Sequence, residues 1–154
     1  MNSKNIYWTL ALVVIILSLG MIGVHWSDLP DQVPMHFNLQ GEADRYGSKS
    51  ELFLFPSMSI GIWVLFRWIS RKSLKINPNK WGAKTPQQLD ITKVFMSQTT
   101  LVVCIILALG LYSIMRLATG RDSSTSLMMI FTGISLTLLF IIYFVKLSKA
   151  SKSS

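Results

Sequence analysis

The sequence predicts an all-α membrane protein: four transmembrane helices, both termini cytoplasmic, and a structured extracellular loop between helices 1 and 2. Three observations carry this. Of 154 residues, 51% are hydrophobic and only 14% charged, with a mean hydropathy of +0.46. A single small domain buries too little surface to hide that many apolar side chains from water. Four apolar runs lack any charge, and the basic residues gather in alternate connections.

The first run, residues 6–24, has 19 residues, close to the roughly 20 needed to cross a hydrocarbon core of about 30 Å. Ser18 and Gly20 make a small-x-small pair, but the run exceeds a usual signal core and no soluble mature domain follows. It is expected to stay as a span over about 6–25, and without a following cysteine it is no lipoprotein signal. The second run, residues 52–66, has 15 residues. It spans if its helix covers about 49–70, with Arg67 snorkelling toward the headgroups beside Trp63 and Trp68. Ser48 with Glu51 three residues on is a capping-box pattern that starts this helix at Lys49. The third and fourth runs, residues 94–115 and 123–145, have 22 and 23 residues, giving spans of about 94–116 and 124–146. Thr85-Pro86-Gln87-Gln88 is a second capping box with proline at the first helical position, so the third helix begins inside the cytoplasm and runs through Arg116. Asn77-Pro78-Asn79 and Trp81-Gly82 mark turns in the basic connection 71–93. Asp122 or Ser123 caps the fourth helix, and the polar tail 149–154 is expected to be disordered. Ser57 with Gly61 and Gly133 with Thr137 are small residues four apart, a spacing that lets helices approach closely.

Charge sets the orientation. Lys4, Arg67, Arg71, Lys72, Lys75, Lys80, Lys84, Lys93, Lys146, Lys149 and Lys152 fall on one side, and only Arg45, Lys49, Arg116 and Arg121 on the other. The positive-inside rule therefore places the single four-helix domain, residues 1–154, with both ends in the cytoplasm of a multi-pass cell-membrane protein. The same split accounts for the net charge of +8. No nucleic-acid partner is expected, because the basic residues show no aromatic interleaving and no binding module. The single Cys104 lies inside an apolar run and allows no disulfide framework.

The outer connection, residues 26–48, is longer than a plain linker. Trp26, Leu29, Val33, Met35, Phe37, Leu39 and Tyr46 supply apolar surface to fold onto the helix ends or the headgroup layer. Pro30 and Pro34 stiffen its first half into an extended path, and Gly41 and Gly47 mark turns. Two short extended pieces joined at Gly41 would bring His36, Asn38, Glu42 and Asp44 together. Over residues 28–51, five acids face two bases, a net charge of −3. His36, Asn38 and Asp44 are natural partners for the loop's own backbone, with Lys49 pairing Asp44 at the helix start. A metal is the alternative, with His36, Glu42 and Asp44 as weak ligand candidates. Zinc wants three or four strong ligands and the chain has two histidines, His25 and His36, so neither metal nor cofactor is assigned. His25 is expected beside Trp26 at the interface, within reach of His36 only if the loop folds over it.

The segment LPDQVPMHFNLQGEADRYGSK resembles the signature of a bacterial membrane family of unknown function, LP-x-x-(I/V)-P-x-H-(F/W)-N-x-x-G-x-x-D-x-x-x-SK. The matching residues are Leu29, Pro30, Val33, Pro34, His36, Phe37, Asn38, Gly41, Asp44, Ser48 and Lys49. The same module forms the N-terminal part of immunity proteins that protect producing cells from a secreted sporulation-delaying toxin. Those proteins carry further spans, whereas this chain has four apolar runs. The resemblance implies a non-enzymatic integral membrane protein that recognises a peptide or other ligand at the outer face, with His36, Asn38, Gly41, Asp44 and Lys49 binding it or shaping the loop. An acidic loop above an apolar bundle suits a cationic, amphipathic antimicrobial peptide. The alternative is a small accessory or regulatory subunit that binds other membrane or cytoplasmic proteins. A membrane hydrolase using His36 with Glu42 or Asp44 ranks third. The chain has no HExxH, no GxSxG and no glycine-rich phosphate loop, and all seven acids lie outside the apolar runs, against a proton-coupled transporter.

Overall fold

The computed structural model describes residues 3–38, 42–73, 85–121 and 125–152. In chain order these form α1 (Ser3–His25), β1 (Gln32–Phe37), β2 (Ala43–Ser48), a 3-10 turn (Lys49–Phe53), α2 (Leu54–Trp68), a π turn (Ile69–Ser73), α3 (Pro86–Ala118) and α4 (Thr125–Lys152). Three segments, Asn5–His25, Lys49–Lys72 and Pro86–Ala118, are long and apolar enough to cross a membrane. They mark the chain as a membrane protein.

The helices form at the expected places for local reasons. Thr85 caps α3: its hydroxyl accepts from Gln88 N at 3.2 Å, and Gln88 Oε1 accepts from Thr85 N at 3.1 Å. Ser48 caps the 3-10 turn in the same reciprocal way with Glu51, and the turn leads into α2. Hydroxyls inside the apolar segments turn back on their own helices. Ser18 donates to Val14 O, Ser59 to Phe55 O and Thr100 to Met96 O, at 2.8, 3.0 and 2.8 Å. That satisfies groups for which lipid offers no partner.

The core has three levels. Ile22, Leu29, Val33, Leu52, Leu111, Ile114 and Met115 cluster at the hairpin end. Ala11, Ile15 and Cys104, with Trp63 and Leu101 against them, form the middle, and Ile69 and Met96 with Phe66 and Leu89 the far end. Along these levels rising numbers in α1 meet rising numbers in α3 and falling numbers in α2, so α1 and α3 run parallel and α2 opposite to both. α4 joins α3 through Phe95, which stacks on Tyr143 at 4.1 Å and meets Phe140 edge-on. Large apolar side chains such as Ile16, Leu17, Met58, Ile141 and Phe144 are exposed, a surface suited to lipid rather than water.

Several expectations are corrected. The outer connection holds a two-stranded antiparallel sheet, so the fold is not purely α. Gly47 marks no turn: it lies in β2 opposite Val33, where a Cβ would overlap the Glu51 carboxylate. Trp63 does not reach for headgroups. Its N–H donates to Trp8 O at 3.1 Å and its ring meets Trp8 edge-on at 6.1 Å, while the Arg67 guanidinium sits over Trp8 at 5.2 Å. Gly61 faces open space, and at Gly110 a Cβ would stand 3.5 Å from the Phe55 ring, an ordinary contact. The tail is helical through Lys152, in keeping with the helix propensity of its lysines and alanine. Gly41, the 74–84 turns and the cap at Asp122 or Ser123 lie outside the described residues.

Candidate functional site

The hairpin is built on a buried apolar base. Val33 is fully buried and Leu29 nearly so against Ile22, Leu52, Leu111 and Met115, with Met35 and Phe37 packed beside them. Val33, Met35 and Phe37 pack on the helix ends, Pro34 is buried with them, and Gln32 and His36 are left exposed.

Register explains the polar face. Val33 pairs with Gly47 and Pro34 with Tyr46, but His36 pairs with Arg45 and Phe37 with Ala43. Met35 is thus one extra residue in β1 and Asp44 one extra in β2. Bulges of this kind re-aim side chains, and here Asp44 turns to His36: Asp44 Oδ1 lies 2.6 Å from His36 Nδ1, with the two side chains 44% and 66% exposed. Nearer the tip, Asn38 N donates to Glu42 O at 2.9 Å, Glu42 N to Asn38 Oδ1 at 2.9 Å, and Asn38 Nδ2 to Glu42 Oε2 at 3.2 Å. Asn38 and Glu42 therefore close the hairpin's neck.

Lys49 is held differently from the expectation. Its partner is Asp31, with Nζ 3.1 Å from Oδ1, and not Asp44. The register puts Gln32 opposite Ser48, so Asp31 and Lys49 meet at the open end, where Lys49 N also donates to Asp31 O at 3.0 Å. The ammonium lies 5.1 Å from the Trp26 ring centroid, and Trp26 leans on Phe53 at 5.6 Å. Lys49 ties the end of α1, the start of the hairpin and the entry to α2 together. Sequence reasoning also missed Arg45, whose Nη2 lies 3.3 Å from Glu51 Oε2. Alternation along β2 was the available signal for it.

Residues 13–60 match the family described as Domain of unknown function (DUF1648). The match runs from the middle of α1 through the hairpin into α2, so the matched segment is the hairpin with the adjoining parts of the two helices that seat it. An uncharacterized protein of Archaeoglobus fulgidus is 48% identical over 33 residues, 21% of this chain and 18% of that relative. The chain therefore spans less than a fifth of that relative's length. No solved structure matches the chain.

Chemically, the hairpin offers exposed carboxylates on a fixed frame. Among the described residues, no group of three or more His, Cys, Asp or Glu is arranged to hold a metal. Of the weak candidates, His36 and Asp44 face each other and Glu42 is turned to Asn38. Asp31 and Glu42 also shape the hairpin, through Lys49 and Asn38. His25 sits apart from His36: its ring bonds Met21 O at 3.1 Å, and it lines a cavity with Arg116 at the α1–α3 seam.

Proposed function

We propose that this chain is a non-enzymatic, four-span cell-membrane protein, with both termini cytoplasmic, whose hairpin recognises a cationic, amphipathic peptide at the outer face. The carrying observation is the frame itself: a polar hairpin on a buried apolar base, presenting Asp31, Glu42 and Asp44 to solvent. A preformed acidic surface limits the ordering cost of binding and attracts a basic ligand over distance. The resemblance of residues 29–49 to the immunity-protein signature supports a toxin-like peptide as the ligand class. The 11-to-4 division of basic residues supports the orientation. The 28 residues of α4, with Leu138, Ile141 and Phe144 facing outward, support a fourth span.

The test is survival of cells expressing each variant under a panel of cationic membrane-active peptides. His36→Ala or Asp44→Ala should abolish protection at normal expression. Glu42→Gln keeps an acceptor for Asn38 but removes the charge, and should weaken protection mainly at low salt. Full protection by the His36 and Asp44 variants at equal expression would overturn the proposal.

A further inference from the structure

Two cavities follow one another along the seam between α1 and α3. The one nearer the hairpin, about 300 Å³, has His25, Asp28, Arg116 and Arg121 in its wall above Met21 and Met115. The other, about 280 Å³, is walled by Val14, Leu17, Ile105 and Leu109, with almost no polar surface. Met21 and Tyr112 line both, so the two adjoin. From Val14 to His25, and from Ile105 to Arg116, the seam rises 11 residues. At 1.5 Å per residue that is about 16 Å, close to one leaflet, half of a roughly 30 Å hydrocarbon core. A polar mouth above an apolar slot one leaflet deep has the proportions of a lipid.

Arg116 supplies the second observation. Its Nη1 donates to the Tyr112 hydroxyl at 3.3 Å and its guanidinium stands 5.9 Å from that ring, but its Nε is buried without a hydrogen-bond partner. Arg116 stands in the cavity wall at the end of a membrane-spanning segment, and arginine's fork matches phosphate. Asp28, in the same wall, adds one carboxylate to two arginines. That arrangement fits a phosphate followed by an ammonium.

We propose that the α1–α3 seam binds one phospholipid of the leaflet on the hairpin side, its phosphate on Arg116, its headgroup amine toward Asp28, and one acyl chain along the slot beside Leu17. The headgroup class is phosphatidylethanolamine. The lipid lies beside the hairpin base, since Leu29 lines the headgroup cavity and belongs to the buried cluster under the hairpin.

The proposal rests on the helices being membrane spans, and a chain that purified from the soluble fraction without detergent would remove that footing before any lipid was measured. The experiment is native mass spectrometry of the full chain in detergent, with added palmitoyl-oleoyl phosphatidylethanolamine or phosphatidylglycerol, and inorganic phosphate as competitor. Wild type should carry one phosphatidylethanolamine. Arg116→Gln should lower its occupancy tenfold or more, and so should Leu17→Trp, which fills the slot from an exposed position and leaves the arginine intact. Asp28→Asn should erase the preference for phosphatidylethanolamine over phosphatidylglycerol. His36→Ala should keep the lipid, so loss of peptide protection in that variant is separable from loss of lipid. Wild-type occupancy in both Arg116→Gln and Leu17→Trp would overturn the proposal. So would displacement of the lipid by millimolar inorganic phosphate with Leu17→Trp unaffected, which would mark a free-phosphate site. Equal binding of both lipids to wild type would overturn the amine assignment.

Discussion

His36 and Asp44 meet across the hairpin at 2.6 Å, although the strand register pairs His36 with Arg45. Asp44 is the extra residue of β2 and reaches His36 from outside the ladder, and both side chains are substantially exposed. Exposed pairs contribute roughly 0.2–1 kcal/mol, so the pair orients the hairpin's polar face without holding the bundle together. A double-mutant cycle of His36→Ala and Asp44→Ala should give a coupling within about that range. Amide exchange should accelerate at residues 36–38 and 43–45 while α1 and α3 stay protected. Loss of protection throughout α3 in either single variant would contradict this picture.

Lys49 combines an ion pair with a ring contact, and substitutions separate the two. Asp31→Asn loses the ion pair but leaves the Lys49 ammonium over Trp26, which should cost at most about 1 kcal/mol because Asp31 is 95% exposed. Lys49→Ala also removes the ammonium from the ring and should destabilise more. Detergent-induced unfolding followed by circular dichroism gives the order. Equal stability of the two variants would mean that the ring contact contributes nothing.

Gly47 is small because of Glu51. A Cβ at position 47 would occupy the place of the Glu51 carboxylate, which accepts from Ser48 N at 3.1 Å and pairs with Arg45. Gly47→Ala should therefore expel Glu51 and cost about 1 kcal/mol, the usual size of a lost helix cap. In a Glu51→Ala background the same change should be nearly neutral. A full penalty in both backgrounds would place the strain in the backbone and not in the carboxylate.

The helices were legible in the sequence because their causes are local. Charge-free runs and two capping boxes lie within a few residues of what they determine, and Thr85 and Ser48 cap as their neighbours require. The hairpin was half legible: the extended pieces and the meeting of His36 with Asp44 followed from short spacings. Which residue Lys49 would find did not, because that depends on the strand register at the open end, where Gln32 faces Ser48, with no signal in composition. The role of Arg116 was hidden for a further reason. Its cavity exists only through the parallel alignment of α1 with α3, two helices far apart in the chain.

Orientation is a prediction in its own right, resting on the 11-to-4 division of basic residues. Four exposed positions lie at alternating ends of the helices: Ser27 after α1, Lys72 after α2, Arg121 after α3 and Lys149 near the end of α4. The native Cys104 is fully buried and gives little background. Single cysteines at Ser27 and Arg121 should react with an impermeant maleimide on intact cells, and those at Lys72 and Lys149 only after permeabilisation. The positive-inside rule acts on lysine and arginine in short connections, so the order should survive removal of the hairpin's acids but not a reversal of the basic residues at 67–93. If Lys149 labelled with Ser27 from outside while Lys72 stayed protected, α4 would not cross the membrane and the span count would fall to three. If Ser27 were protected and Lys72 open, the hairpin would face the cytoplasm and could not meet a peptide arriving from outside.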